Sequence, residues 1–267
     1  MLARAWPLLC LVLVVAAPAS AQPPDTVLLE ELTWTELRDA ISAGKTTIVV
    51  PVGGTEQSGP HMALGKHNVR VRALAERIAR ALGHALVAPV VAYVPEGRIS
   101  PPTGHMRFPG TISVPEDTFE RVLEAAARSF RQHGFRDVVF LGDHGATQAG
   151  QRAVAARLNR EWAGAPTRAH AIEEYYRASQ VEFARALRAK GYSQEEIGTH
   201  AGLADTALML AVDARLVRAD RLRAGTGEAG DGVEGDPRRA TAELGRAGAD
   251  EVVAKTVEAV TRSLARR

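Results

Sequence analysis

The residues best suited to chemistry in this sequence are histidines and carboxylates gathered in three glycine-bounded stretches. The first runs Gly53-Gly54-Thr55-Glu56-Gln57-Ser58-Gly59-Pro60-His61 and continues to Lys66-His67-Asn68. Glycines at this density let a backbone turn tightly and approach a ligand closely, and they allow Glu56, His61 and His67 to point at one place. The second is Gly142-Asp143-His144-Gly145. An Asp-His pair between glycines serves metal ligation or proton transfer, because imidazole does both near neutral pH. In the third, Gly198-Thr199-His200-Ala201-Gly202-Leu203-Ala204-Asp205-Thr206, His200 precedes a carboxylate across a glycine turn. There Asp205-Thr206 also reads as the cap of an apolar helix from Ala207 to Leu216. No stretch has the glycine spacing and Lys-Ser/Thr ending of a phosphate-binding loop, and no Gly-x-Ser-x-Gly elbow is present.

These stretches follow segments that read as buried strands, Thr46 to Val52 before the first and Asp137 to Leu141 before the second. Ala85 to Tyr93 reads as another strand. Between them lie helical stripes. Val71, Leu74, Ala75, Ile78 and Leu82 end at Gly83, a C-cap, and Phe119, Val122, Leu123, Ala126 and Phe130 run from Pro115-Glu116-Asp117 to near Gly134. Glu173 to Lys190 reads as a further helical stretch opening on Tyr175 and Tyr176. Alternation of strand and helix predicts a mostly parallel sheet covered on both faces, with sites at the carboxyl ends of its strands. His105 falls in a Pro/Gly-rich loop, Pro101 to Phe108, that suits the rim of a pocket. The glycine-rich loop from Gly225 to Pro237 is long enough to cover one.

Composition narrows the setting. With 33 Lys+Arg against 31 Asp+Glu the chain has no basic field for nucleic acid, and one cysteine forbids both a disulfide framework and a cysteine-held structural zinc. A metal here falls to histidine and carboxylate. Arg4, the apolar run Leu8 to Ala17 and Ala19-Ser20-Ala21 follow the three-part grammar of a signal peptide, with cleavage expected after Ala21. That would remove Cys10 and leave residues 22–267 as one α/β domain. No later stretch is apolar enough to cross a membrane, so the expected location is the periplasm or the exterior.

Taken together, Glu56-Gln57-x-Gly59-Pro60-His61, Gly-x-His144-Gly, His200-Ala201-Gly202-x-x-Asp205-Thr206, Phe108-Pro109-Gly110-Thr111-Ile112 and Gly232-Val233-x-Gly235-Asp236-Pro237 resemble the creatininase (creatinine amidohydrolase) family. The resemblance runs from about Val49 to Leu244. It implies a three-layer αβα sandwich, a hexamer, and a metal-dependent amidohydrolase with two zinc or manganese ions at the strand ends. Carried over by position, Glu56 and His144 match metal ligands, and His200 matches a catalytic acid/base. Ser58 stands where that family has a ligand histidine, His67 where it has a bridging aspartate, Thr199 where it has an acidic residue, and Asp205 where it has a glutamate.

Two ions held close together need a bridging anion, and imidazole, with one lone pair, cannot take that role. The expectation is therefore one divalent ion, Zn²⁺ first and Mn²⁺ second, held by Glu56, His67, His144 and Asp205. Asp143 would orient His144 or relay a proton, His200 would deliver one to the leaving nitrogen, and His61, Ser58 and His105 would orient the ligands. The expected reaction is hydrolysis of a small amide, cyclic amide or formamide-type C–N bond. The rival expectation, resting on Ser58, His67 and Thr199, is a scaffold that has lost catalysis and acts as a periplasmic ligand-binding or assembly protein.

Overall fold

The computed structural model describes residues 24–227 and 230–266. The expected signal peptide, residues 1–21, lies outside the described residues. The elements run α1 (Trp34–Ser42), β1 (Thr47–Val52), α2 (Lys66–Leu82), β2 (Ala85–Val87), α3 (Glu116–Gln132), β3 (Asp137–Gly142), α4 (Gln148–Glu161) and β4 (Arg168–Ala171). Next come α5 (Glu174–Arg177), a π-turn (Ala178–Glu182), α6 (Phe183–Ala189), α7 (Gln194–Ile197), α8 (Leu203–Asp213) and α9 (Ala242–Leu264).

The four strands form one parallel sheet in the order β2-β1-β3-β4. Helices α2, α8 and α9 pack on one another, as do α3 and α4, and the two groups flank the sheet. Every residue of β1 and β3 is buried, which is why these strands read as continuous runs without alternation. From β1 the chain moves outward to β2 and then returns to add β3 on the other side. The crevice between the loops after β1 and β3 is therefore the place where such a sheet binds ligands.

The expected strand from Ala85 to Tyr93 pairs only as far as Val87. Prolines explain the shortening: Pro89 lacks a donor, and opposite it Pro51 lacks one too. The ladder resumes beyond the gap with Val91 N donating to Pro51 O (2.9 Å) and Gly53 N to Val91 O (3.0 Å). α2 closes as its sequence says, on Gly83 in the left-handed region (φ 78°) with its N–H on Ala79 O. It begins earlier than the apolar stripe suggests, so Lys66 and His67 belong to its first turn. α8 likewise begins at Leu203, with Gly202 in the N-cap position. Asp205 thus lies inside the first turn, not at the cap.

α9 seats on α8 through Gly245, where an added Cβ would lie 1.8 Å from Ala207 O. Gly245→Ala is expected to push the two helices apart and cost roughly 1–3 kcal/mol, the usual penalty for overpacking. Chemical denaturation checks this, and an unchanged midpoint would show that the helices shift freely.

Candidate active site

All the loops that leave the carboxyl edge of the sheet converge on one cavity of about 290 Å³. Glu56 comes from the loop after β1, His105 from the long connection after β2, and Asp143 and His144 from the turn after β3, while Glu96, from the same connection as His105, is buried against His144 without lining the cavity. The first turns of α2 add Lys66, His67 and Arg70. The turn between α7 and α8 adds His200.

Glu56 is the hub. Its carboxylate is fully buried and faces four imidazoles: Oε1 lies 2.7 Å from His67 Nε2 and 3.6 Å from His200 Nδ1, and Oε2 lies 3.0 Å from His144 Nε2 and 3.2 Å from His105 Nε2. Burial works against its ionisation, yet the charge of His67 and the hydrogen bonds from His144 and His67 hold its pKa well below the ordinary value. Two overlapping groups of donor atoms result, Glu56-His67-His144 and Glu56-His105-His200. In each the three ligand atoms lie within 4.8 Å of one another.

His67 is fixed from both sides, since Nδ1 meets Asp143 Oδ2 at 2.6 Å while Nε2 meets Glu56. Burial and the neighbouring Lys66 charge oppose its protonation, but the two carboxylates outweigh them and raise its pKa. A histidine with its far nitrogen on a carboxylate is the arrangement that orients imidazole toward a metal. Asp143 thus steadies His67, where the sequence had suggested His144. It also accepts from Arg70 Nε (3.0 Å) and from the Tyr175 hydroxyl (2.7 Å).

Asp205, expected as a fourth ligand, belongs to neither donor group. Its carboxylate is taken up by Lys66 Nζ (2.6 Å), Arg70 Nη1 (2.7 Å) and Ala201 N (3.1 Å). Burial would raise its pKa, and Lys66 and Arg70 instead drive it well below the ordinary value. Of the expected orienting residues, His105 lines the cavity, whereas His61 is buried behind it with Nε2 on Thr206 Oγ1 (3.1 Å). Ser58 is buried and its hydroxyl makes no hydrogen bond, so it contributes no donor. Thr199, at the cavity wall, bonds Glu234 instead of a histidine.

His200 is held by Gln57 from two directions. Nε2 lies 3.0 Å from the Gln57 backbone carbonyl and 3.1 Å from the Gln57 side-chain amide nitrogen, so either tautomer finds a partner there, while Nδ1 faces Glu56 Oε1 at 3.6 Å. Burial first, then Lys66, pushes its pKa down to about 3, so it is neutral at rest. Stacking on His105, with centroids 4.5 Å apart, and the left-handed backbone of Ala201 (φ 56°) fix its position.

Charge balance shows that the centre suits a cation. At this edge of the sheet Glu56, Glu96, Asp143 and Asp205 are buried against only Lys66 and Arg70 as fixed cations. Without an ion, protons make up the difference: Glu96 is pushed up to about 10 by burial and by the charge of Glu56, and His67 is drawn toward its protonated form. One divalent ion can replace both protons and leave the interior neutral.

Sequence reasoning missed Lys66, Arg70 and Glu96. For the first two a signal existed, because positions 66, 67, 70, 71 and 74 share the inward face of α2, and charges on an apolar stripe mark a buried polar site. Glu96 sits in no motif.

A parallel sheet with a His/carboxylate centre at its strand ends is the architecture of a metal-dependent α/β hydrolase. The family model for creatininase, described as creatinine amidohydrolase, matches residues 30–260, and the chain belongs to that family. Creatinine amidohydrolase of Pseudomonas putida is 32% identical over 119 residues, which cover 45% of this chain and 45% of that protein. The chain thus spans less than half the length of that relative. Mycofactocin precursor peptide peptidase of Mycobacterium tuberculosis is 29% identical over 257 residues, covering 82% of this chain and 85% of that one. A solved creatininase with Mn superposes with a TM-score of 0.73 at 25% identity, covering 90% of this chain and 99% of the other.

Arg70→Leu is expected to cost about 3–5 kcal/mol, because it strands Asp143 and Asp205 without their shared cation; urea unfolding measures it, and a loss under 1 kcal/mol would contradict the network. For His200, a folded pKa below the unfolded 6.5 means that stability falls as pH drops from 6.5 toward about 3. In NMR titration of the metal-free protein its ring should stay in the neutral form from pH 8 to pH 4.5, and a midpoint near 6.5 would refute the assignment.

Proposed function

We propose that the chain is a metal-dependent hydrolase of a small amide, cyclic amide or formamide-type C–N bond, with one divalent ion held by Glu56, His67 and His144. The supporting observation is the convergence of those three donors in the strand-end cavity, with His67 held from behind by Asp143. Imidazole and carboxylate together suit Zn²⁺ first and Mn²⁺ second. When bound, such an ion supplies Lewis-acid polarisation of a carbonyl and acidifies water.

The remaining work falls to the chain. Asp143 and Glu56 fix the plane of His67, and Gln57 holds His200 at the cavity wall with Nδ1 toward Glu56. His200 accepts a proton from the attacking water and passes it to the leaving nitrogen. The ring is neutral at rest and so able to accept, although burial and Lys66 make it a weak base in the metal-free protein. Lys66 lines the cavity with its ammonium between Asp205 and Glu56, and it stabilises charge developing on the carbonyl oxygen.

One ion fits better than two because Ser58 offers no ligand and Lys66 already supplies a fixed positive charge. A cavity of about 290 Å³ favours a small substrate. A peptide C–N bond is the second reading, supported by the 82% coverage of the match to mycofactocin precursor peptide peptidase. The proposal also carries export after cleavage at Ala21 and a homo-oligomeric, hexameric assembly, which N-terminal sequencing and light scattering would test.

Elemental analysis of the purified protein should give one ion per chain, together with ion-dependent hydrolysis in a screen of lactams, cyclic amides, formamides and short peptides. His144→Ala should lose ion and turnover together. His200→Ala should keep the ion and lose about 10²–10⁴-fold in rate. Two tightly held ions would overturn the mononuclear reading, and an ion-loaded protein inert across the screen would favour the non-catalytic alternative.

A further inference from the structure

Glu96 belongs to none of the motifs and to neither group of three converging donors, yet its side chain is fully buried and its carboxyl reaches His144, one of those donors. Neither of its carboxylate oxygens completes a hydrogen bond. The nearest ring nitrogen is His144 Nε2, 3.2 Å from Oε2, and that nitrogen also faces Glu56 Oε2 at 3.0 Å. A neutral imidazole has a single hydrogen there, so it cannot serve both carboxylates. Beyond that ring it meets the Glu56 carboxyl, and two buried carboxylates brought together need a proton or a cation between them.

The backbone around Glu96 is built to hold it in place. Its own N–H donates to Ser113 Oγ (2.9 Å), and the same hydroxyl donates to Gly97 O (2.7 Å), so Ser113 clamps the chain on both sides of the residue. A bridge from Val94 to Ser113 extends the clamp. Across the site, Gly54 leaves the space the carboxylate enters: a Cβ there would lie 2.6 Å from Glu96 Oε1. A carboxylate locked by its backbone, given room by a glycine and turned toward an imidazole and a second carboxylate is arranged as a ligand is arranged.

We propose that Glu96 is a direct ligand of the divalent ion, sharing it with Glu56, His67 and His144. This rests on the metal-centre reading above and changes its composition: the fourth protein ligand comes from the connection after β2, in place of Asp205, which Lys66 and Arg70 hold away. The set of two imidazoles and two carboxylates suits Zn²⁺, Mn²⁺ or Co²⁺.

The test uses the full chain stripped by a chelator and titrated with Zn²⁺ or Co²⁺ alone, comparing wild type with Glu96→Gln and Asp205→Asn. Glu96→Gln keeps size and shape, and circular dichroism of the metal-free variant establishes that it folds. The expected result is one ion per wild-type chain, affinity weakened at least about tenfold in Glu96→Gln, and a changed visible spectrum of its Co²⁺ form. In Asp205→Asn the Co²⁺ spectrum should match wild type. Wild-type affinity in Glu96→Gln would overturn the ligand assignment while leaving the metal centre standing. So would weaker binding with an unaltered Co²⁺ spectrum, because that is the mark of a distant charge. A wild-type chain that binds no ion would remove both.

Discussion

Four carboxylates buried at one edge of a parallel sheet, with two fixed cations among them, constrain everything else in this structure. Glu56, Glu96, Asp143 and Asp205 would repel one another and each loses hydration on folding. Lys66 and Arg70 neutralise half of that charge. Arg70 does so with a fork that spans Asp143 and Asp205, a geometry lysine cannot reproduce, and Lys66 joins Asp205 to Glu56. The first turn of α2 is thereby tied to the turn after β3 and to the start of α8, so the network is also what aligns the three loops.

That division of charge separates two functions within a few ångströms. Asp143 and Asp205 are committed to cations and build the frame. Glu56 and Glu96 keep oxygens turned toward imidazole nitrogens, and it is between them that we place the divalent ion. His67 stands at the boundary, with one nitrogen on each side. The family to which the chain belongs includes metal-bearing creatininases, and this member departs from the resemblance at Ser58 and His67. In the same site the structure places the Lys66 ammonium beside Glu56 and the Glu96 carboxyl beside His144.

The strand-end loops, the parallel sheet, the C-terminal end of α2 and both ends of α3 were legible in the sequence because each rests on local signals: unbroken apolar runs, helical stripes and glycine caps. Glu56, His67, His144 and His200 were legible as a set for the same reason, since glycines and strand ends mark them. What was illegible depends on contacts distant in sequence. Asp205 reads equally as a helix cap or a ligand until Lys66 and Arg70, 139 and 135 positions away, claim its oxygens. Asp143 sits beside His144 in sequence but turns to His67, 76 positions earlier. Glu96 depends on a proline-broken strand, a clamp from Ser113 and the bareness of Gly54, none of which a periodicity or a motif records.

The account stands on a single ion between Glu56, Glu96, His67 and His144. Crystals of the full chain grown with Zn²⁺, with diffraction recorded on both sides of the zinc absorption edge, test this directly. The account predicts one anomalous peak per chain, within bonding distance of those four side chains and separate from Asp205. A second peak, a peak on Asp205, or none in a folded zinc-saturated crystal would contradict it.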